Sequence, residues 1–297
     1  MKVLVTGSNG FLGSNLINNY KTQYKVIGTS LNSTIFDNKI KFEAGDLTDE
    51  NFIKNLIMNY KPDVVINTVA NVNLDLCECQ ESNAYKINVQ TAINISKSLT
   101  KNIHLIHIST DNLFDGKKSF YSENDNPRPL NVYGQTKLLA ENECINRHSN
   151  TSIIRTNIFG WSPSNHKNTF AEWVYHNLNN NLSIKMFTDL YFTPIEVNLF
   201  AKALEQVLKS KIRGVFNIAG TERCSKYTFG VEMSKFFGFN QKNIIPSMID
   251  SHSFIAQRQQ DLSLSTEKFE KATGYTLPDL KISFSSLVNT FKNHMIK

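Results

Sequence analysis

Lys2-Val3-Leu4-Val5-Thr6-Gly7-Ser8-Asn9-Gly10-Phe11-Leu12-Gly13 is a short apolar, β-branched run, then glycines at every third position, then the start of a helical pattern. Each glycine has a physical task. Gly7 permits a tight turn, Gly10 lets the backbone approach a pyrophosphate, and Gly13 lets the new helix lie close to the strand. The helix that begins there offers unpaired N–H groups and the positive end of its dipole to phosphates. Strand, glycine turn and helix in this order predict the first unit of a dinucleotide-binding α/β fold.

The same rhythm continues outward. Runs at Lys2 to Thr6, Lys25 to Thr29, Ile40 to Ala44, Asp63 to Thr68, His104 to Ser109 and Ser152 to Thr156 read as strands, with helices from about Leu12, Asp49, Asn83 and Tyr133. That alternation predicts a doubly wound parallel sheet, a Rossmann fold, with helices on both faces. After Arg155 it loosens into a Ser, Asn and Pro-rich loop (Trp161 to Asn168). Helices near Phe170 to Leu178, Glu196 to Lys209, Lys226 to Phe237 and Ser283 to Met295 follow, with a strand at Val215 to Ala219. Residues 1–156 are expected to form the cofactor-binding domain. Residues 157–297 are expected to form mainly a smaller C-terminal substrate-binding lobe, interleaved with the sheet and laid over the strand ends where open α/β sheets bind ligands.

A dinucleotide site of the NAD type places an acid at the end of the second strand, on the ribose 2′-hydroxyl. Here that strand ends Gly28-Thr29-Ser30-Leu31-Asn32, without an acid. Thr29 and Ser30 could donate to a 2′-phosphate without repelling it, which favours NADP(H) over NAD(H). Asp46-Leu47, past the third strand, is placed either to contact the adenine edge or to cap a helix with Thr48.

Tyr133 and Lys137, at i and i+4, share one helix face. Chance alone supplies such pairs in a chain this rich in both residues; context gives this one its weight. A strand ending in Ser109-Thr110 precedes it and would bring a hydroxyl over the sheet edge. Reducing a ketone needs a hydride at carbon and a proton at oxygen. A free phenol, with pKa near 10, exchanges protons poorly at neutral pH. A nearby Lys ammonium would favour the phenolate and hold the nicotinamide ribose, while Thr110 would polarise the carbonyl oxygen.

With these motifs assembled, the chain resembles the extended short-chain dehydrogenase/reductase superfamily, most closely the dTDP-4-dehydrorhamnose reductase family. The resemblance runs through Thr6-Gly7-x-x-Gly10-x-x-Gly13, Val65-Ile66-Asn67, Ala84-Tyr85-x-x-Asn88-Val89, Ile108-Ser109-Thr110-Asp111, Phe114-Asp115-Gly116 and Pro129-Leu130-Asn131-Val132-Tyr133-Gly134-x-Thr136-Lys137. It continues through Ile154-Arg155-Thr156-Asn157, Phe192-Thr193-Pro194, Asn217-Ile218-Ala219-Gly220 and Arg258. It implies Thr110, Tyr133 and Lys137 as catalytic residues, NADPH as hydride donor and a nucleotide-linked 4-keto-6-deoxyhexose as substrate, in the synthesis of surface polysaccharide sugars. Asn9, Phe11, Leu12, Thr68, Val69, Ala70, Asn88 and Ser109 join the glycines, Thr29, Ser30, Asp46 and Leu47 as expected cofactor contacts. Asn88 either holds a water for proton relay or bonds local backbone. Asp111, Asn112, Arg155, Asn157, Ile158 and Arg258 are the expected substrate residues, Arg155 having an ion pair within the fold as its alternative.

Two departures fall near the sugar: Asn112 and Ile158 stand where that family commonly has Tyr and Trp, and Trp161 is the residue that would rebuild an aromatic wall. Dehydratases of the superfamily carry an Asp-Glu pair after the catalytic Thr, and here Asp111 is followed by Asn112. Epimerases usually show the strand-two acid. The remaining competitor is a non-catalytic dinucleotide-binding module resembling the regulatory beta subunit of methionine adenosyltransferase.

Composition narrows the field further. Of 297 residues, 40% are hydrophobic and 20% charged, an ordinary globular balance. The net charge of +6 comes from scattered residues, so nucleic acid is not expected; an anionic small substrate suits the balance, and the sugar nucleotide is the partner the resemblance implies. Cys77, Cys79, Cys144 and Cys224 form no C-x-x-C pair, so no metal site is expected, and free thiols suit a reducing compartment. The apolar run Val3 to Val5 is too short for a signal sequence and no window is long enough to span a membrane, so a cytoplasmic location is expected. A homodimer is compatible with the resemblance.

Overall fold

The structure, a computed structural model, describes residues 1–32, 40–163 and 169–295; the expected Trp161 to Asn168 loop lies outside the described residues from residue 164 onward. The first half alternates strands β1 (Lys2–Thr6), β2 (Lys25–Ser30), β3 (Lys41–Ala44), β4 (Val64–Asn67), β5 (His104–Ile108) and β6 (Thr151–Arg155) with helices. These are α1 (Phe11–Tyr20), α2 (Glu50–Tyr60), α3 (Leu74–Cys79), α4 (Glu81–Tyr85), α5 (Thr91–Ser98) and α6 (Val132–Arg147), with a π-helical stretch, Lys86–Gln90, between α4 and α5. The later chain adds strands β7 (Ile158–Phe159), β8 (Ile184–Phe187), β9 (Tyr191–Phe192), β10 (Ile195–Glu196), β11 (Gly214–Asn217), β12 (Cys224–Ser225) and β13 (Ile244–Ser247). Its helices are α7 (Phe170–Asn179), α8 (Val197–Ser210), α9 (Lys226–Phe237), α10 (Glu267–Thr273) and α11 (Leu280–Met295).

The main sheet is wholly parallel, in the order β11-β6-β5-β4-β1-β2-β3. It is the expected doubly wound α/β arrangement, Rossmann-like. The strand order turns back at β1, where β2 lies on one side and β4 on the other, so a crevice opens above the C-terminal ends of β1 and β4. Alternation along β1 explains the two helical layers. Val3 and Val5 pack with Leu16 and Ile17 of α1 and Phe200 and Leu204 of α8. Leu4 faces the other way, onto Leu56 of α2, Ile95 of α5 and Ala140 of α6. Burying each such side chain contributes about 1.5–3 kcal/mol against about 0.5–1 kcal/mol of lost rotamer freedom, so both faces hold.

The second half of the chain returns to this sheet. β11 pairs in register with β6, Val215 beside Ile153 and Phe216 beside Ile154, and α8 packs beside α1. The lobe has its own core: Phe159, Trp161, Tyr175, Phe192, Phe229 and Phe284, drawn partly from α7, α9 and α11. Several of its rings meet edge to face, as Phe159 and Phe229 do at 5.0 Å and 88°, an arrangement the ring quadrupoles favour. Among the described residues no helix is long and apolar enough to cross a membrane.

Candidate active site

The glycine turn has the shape its spacing requires. Gly7 takes φ +65°, and a Cβ on Gly13 would lie 2.3 Å from the Gly7 carbonyl oxygen, so any side chain there would drive α1 off β1. Gly10 caps α1 with no side-chain hydrogen bond and no acid in the first turn. The first N–H groups and the positive helix end are thus unclaimed, and the turn fits a diphosphate. Thr68 supports it from β4, donating to the Thr6 carbonyl at 2.6 Å, and Val69 and Ala70 continue that edge, partly buried. Asn9 donates to the Asn32 carbonyl at 3.3 Å. Phe11 is partly buried, while Leu12 points into the sheet core.

At the end of β2 the two expected donors separate. Successive strand side chains point to opposite faces: Thr29 is wholly buried and its hydroxyl has no hydrogen-bond partner among the described residues, whereas Ser30 is partly exposed. Thr29 therefore cannot share a 2′-phosphate with Ser30. Asp46 and Leu47 part similarly. Leu47 lies in the core below α2, and exposed Asp46 accepts the Thr48 N–H at 2.8 Å, which holds its carboxyl below the usual range. The cap of α2 is Asp49, which accepts from Asn51.

The catalytic candidates converge above β5. The Tyr133 phenol lies near enough to the Thr110 hydroxyl for the two to act on each other, and its ring is walled by Leu74, Cys77 and Ala84 from α3 and α4. The sequence did not disclose that wall, because α3 is a single short turn with no apolar period. Asn131 caps α6 by accepting the Gly134 N–H at 2.9 Å, and Glu78 of α3 accepts the Val132 N–H at 2.9 Å. Lys137 is fully buried and donates to the Ile108 carbonyl at 2.7 Å. Burial pushes its ammonium down to about 8, against the pull of Glu141.

The expected lowering of Tyr133 by Lys137 is not what the structure has. Burial raises the phenol, Asp111 adds to the rise, and Thr110 opposes it. Desolvation outweighs the favourable contacts because the ring is enclosed on the α3 side. Lys137 instead meets His107, a residue the sequence reading passed over, with Nζ 3.3 Å from Nε2. The Val69 N–H donates to Asn67 Oδ1 at 3.2 Å, which turns Asn67 Nδ2 toward His107 Nδ1 at 3.0 Å. The imidazole, held neutral by burial, therefore carries its proton on Nε2. Its contact with Lys137 is a hydrogen bond only while the lysine is a free amine. A histidine in the interior of a strand that reads as buried was the available signal.

Asn88 lies in the π-helical stretch, a local distortion frequent at functional sites. It accepts the Asn71 N–H at 2.7 Å and donates to Thr136 Oγ1 at 2.9 Å, tying the loop after β4 to the catalytic helix. Ser109 is buried, and its hydroxyl has no hydrogen-bond partner among the described residues.

On the substrate side, Asp111 Oδ1 accepts from Thr110 at 3.1 Å and from Asn112 Nδ2 at 2.8 Å, and Asn157 Nδ2 donates to Asp111 Oδ2. Ile158 lies partly exposed in β7, beside Ile195. Trp161 builds no wall there: its indole N–H donates to the Leu287 carbonyl at 2.8 Å, and its ring packs on Tyr175 and Phe291 in the lobe core. Arg155 departs from the expectation that it meets substrate. It is 4% exposed and doubly bonded to Glu141, at 3.0 Å and 2.7 Å, because a buried guanidinium needs a buried carboxylate. Arg258 pairs with Asp75 of α3 at 2.9 Å and lines a cleft of about 910 Å³ with Arg128, Asp115 and Gln257. Among the described residues no group of acidic, Cys or His side chains is placed to hold a metal ion.

Gly134 fixes the spacing between Tyr133 and Thr110. A Cβ there would lie 2.3 Å from the Asn112 carbonyl oxygen. Gly134→Ala should therefore force α6 from the Thr110 loop and lower kcat by about 10- to 100-fold, since ~1 Å of misplacement costs that much. Affinity for a nicotinamide dinucleotide, measured by fluorescence titration, should change little. An unchanged kcat would show that the close approach does not set the catalytic geometry.

The RmlD substrate binding domain family model matches residues 1–293. The chain is similar to the probable low-salt glycan biosynthesis reductase Agl14 of Haloferax volcanii, with 26% identity over 99% of each chain. It is also 27% identical to the methionine adenosyltransferase 2 subunit beta of Pongo abelii, over 91% of this chain and 81% of that one. Among solved structures, a dTDP-4-dehydrorhamnose reductase from Clostridium acetobutylicum superposes with a TM-score of 0.88 at 27% identity, over 98% of this chain and 100% of that one.

Proposed function

The chain belongs to the RmlD substrate binding domain family, and from that membership and the site geometry we propose that it is an NADPH-dependent reductase. Its substrate on this reading is the 4-keto group of a nucleotide-activated 6-deoxyhexose, reduced as a step in glycan precursor synthesis. The observation that carries the reading is the close packing of the start of α6, with Tyr133, against the Thr110–Asn112 loop, on the same sheet edge as the glycine turn. β5 lies two strands from β1, roughly 10 Å at ordinary strand spacing, which suits a dinucleotide lying across the strand ends. The reductases among its relatives support the same chemistry.

The bound cofactor would supply a hydride to the carbonyl carbon. Gly7, Gly10, Gly13 and the first turn of α1 hold its diphosphate, and Lys137 turns from Ile108 to the nicotinamide ribose. Thr110 donates to the carbonyl oxygen of the substrate, and Tyr133 gives that oxygen its proton as the alcohol forms. Burial keeps the phenol protonated throughout the neutral range, so the proton is in place, and the alkoxide that forms as the carbonyl is reduced is basic enough to take it.

The preference for NADPH rests on Ser30 and the absence of an acid at the end of β2. A hydroxyl bonded to a charged phosphate contributes about 1.5–3 kcal/mol, or roughly tenfold and more in affinity. Titration of cofactor fluorescence should give a lower Kd for NADPH than for NADH, and Ser30→Ala should narrow the gap. A preference for NADH would overturn the assignment.

A binding-module reading is favoured by one finding, the likeness to a methionine adenosyltransferase subunit. The two separate in a simple assay. With NADPH and a panel of dTDP-, UDP-, GDP- and CDP-linked 4-keto-6-deoxyhexoses, a reductase consumes NADPH with at least one of them, and a binding module with none.

A further inference from the structure

Lys226 opens α9, directly after the cap residue Ser225. Its ammonium stands 3.3 Å from the centroid of the Phe192 ring and 4.4 Å from that of Phe170. Two aromatic faces hold a cation by their quadrupoles, but they leave its N–H donors unused. Lys226 Nζ makes no hydrogen bond among the described residues, although the side chain is mostly buried. The charge facing it is Asp111, beyond ion-pair distance yet close enough for each to act on the other. Asp111 is itself fixed: Thr110 and Asn112 hold Oδ1, and Asn157 holds Oδ2.

A donor without an acceptor and a carboxylate with lone pairs to spare, near each other and beside a catalytic hydroxyl, favour an occupant of particular chemistry. An anionic oxygen placed there would gain from Lys226 and be repelled by Asp111. A hydroxyl satisfies both, accepting from the ammonium and donating to the carboxylate. Because Asp111 is bonded to Thr110, which faces the reacting carbonyl, that hydroxyl sits on the neighbouring ring carbon.

We propose that Lys226 and Asp111 together bind the sugar hydroxyl adjacent to the keto group, making Lys226 a specificity-determining residue of the substrate pocket. This rests on the sugar-nucleotide reading above. The partner pair Phe170 and Phe192 positions the ammonium. Burial also pulls the Lys226 ammonium down to about 8, against the attraction of Asp111, as befits a cation lacking direct partners.

The test compares native protein with Lys226→Met and Lys226→Arg. Its probes are dTDP-4-dehydrorhamnose, the analogue lacking the hydroxyl beside the ketone, and dTDP alone. Lys226→Met should raise KM for dTDP-4-dehydrorhamnose by about 10- to 100-fold, as loss of a charge-assisted hydrogen bond does. The rise in KM should exceed the fall in kcat. The deoxy analogue and dTDP should bind native and variant proteins equally, and Lys226→Arg should keep part of the discrimination. Equal losses for all three ligands would overturn the proposal, placing Lys226 on the diphosphate or in the fold. So would an unchanged KM. Native protein that turns over no 4-ketosugar nucleotide but binds NADPH would instead overturn the functional reading beneath it, and this proposal with it.

Discussion

Tyr133→Phe is expected to lower kcat by a factor on the order of 10² or more while leaving the NADPH dissociation constant nearly unchanged. The substitution removes one oxygen and keeps the ring, so the packing against Leu74, Cys77 and Ala84 survives. What disappears is the proton donor. In its absence the alkoxide forming as hydride arrives must take a proton from water, and the enclosed position of the phenol admits little. Thr110 remains as a hydrogen-bond donor, so residual activity should exceed the uncatalysed rate. Single-turnover rates at saturating NADPH would measure the loss, and near-native turnover would place the proton donor elsewhere.

Lys137→Met should lower both kcat and NADPH affinity, each by about tenfold or more, because one ammonium serves the ribose and the site's charge balance. It also carries a pH signature. The lysine is held down to about 8 by burial, so the ammonium is present below that pH and lost above it. Native NADPH affinity should therefore weaken as pH rises through about 8, as the amine settles into its hydrogen bond with His107 Nε2. Lys226 titrates in the same window but belongs to the substrate side, so cofactor binding without substrate isolates Lys137. The limb should vanish in Lys137→Met and persist in Lys226→Met. A pH-independent Kd in the native protein would show that the lysine does not meet the cofactor as a cation.

The parts of this molecule legible in the sequence are those governed by local rules. The glycine turn was legible because backbone sterics dictate which positions must lack a side chain, and β1 and β4 because strands buried on both faces read as largely apolar runs. Less legible was whatever long-range packing decides. The partner of Arg155 is Glu141, one helical turn past Lys137 on α6, and only the pairing of β6 beside β5 brings the two together. The approach of Lys226 to Asp111 depends on how the lobe folds back over the sheet. Thr29 and Ser30 are a different case. Strand alternation alone forbids both from facing one phosphate, so there the signal was present in the residues themselves.

The central claim is that Tyr133, Thr110 and Lys137 position a sugar ketone and protonate its oxygen while a bound nicotinamide cofactor would supply the hydride, and isotope transfer tests it most directly. Protein mixed with NADPH deuterated at the transferable C4 position and dTDP-4-dehydrorhamnose should yield a nucleotide sugar carrying one deuterium at its own C4, read by mass spectrometry and NMR. The Tyr133→Phe variant should give the same labelled product far more slowly. Intact deuterated NADPH and unlabelled sugar from native protein that binds both ligands would contradict the account and identify the chain as a binding module.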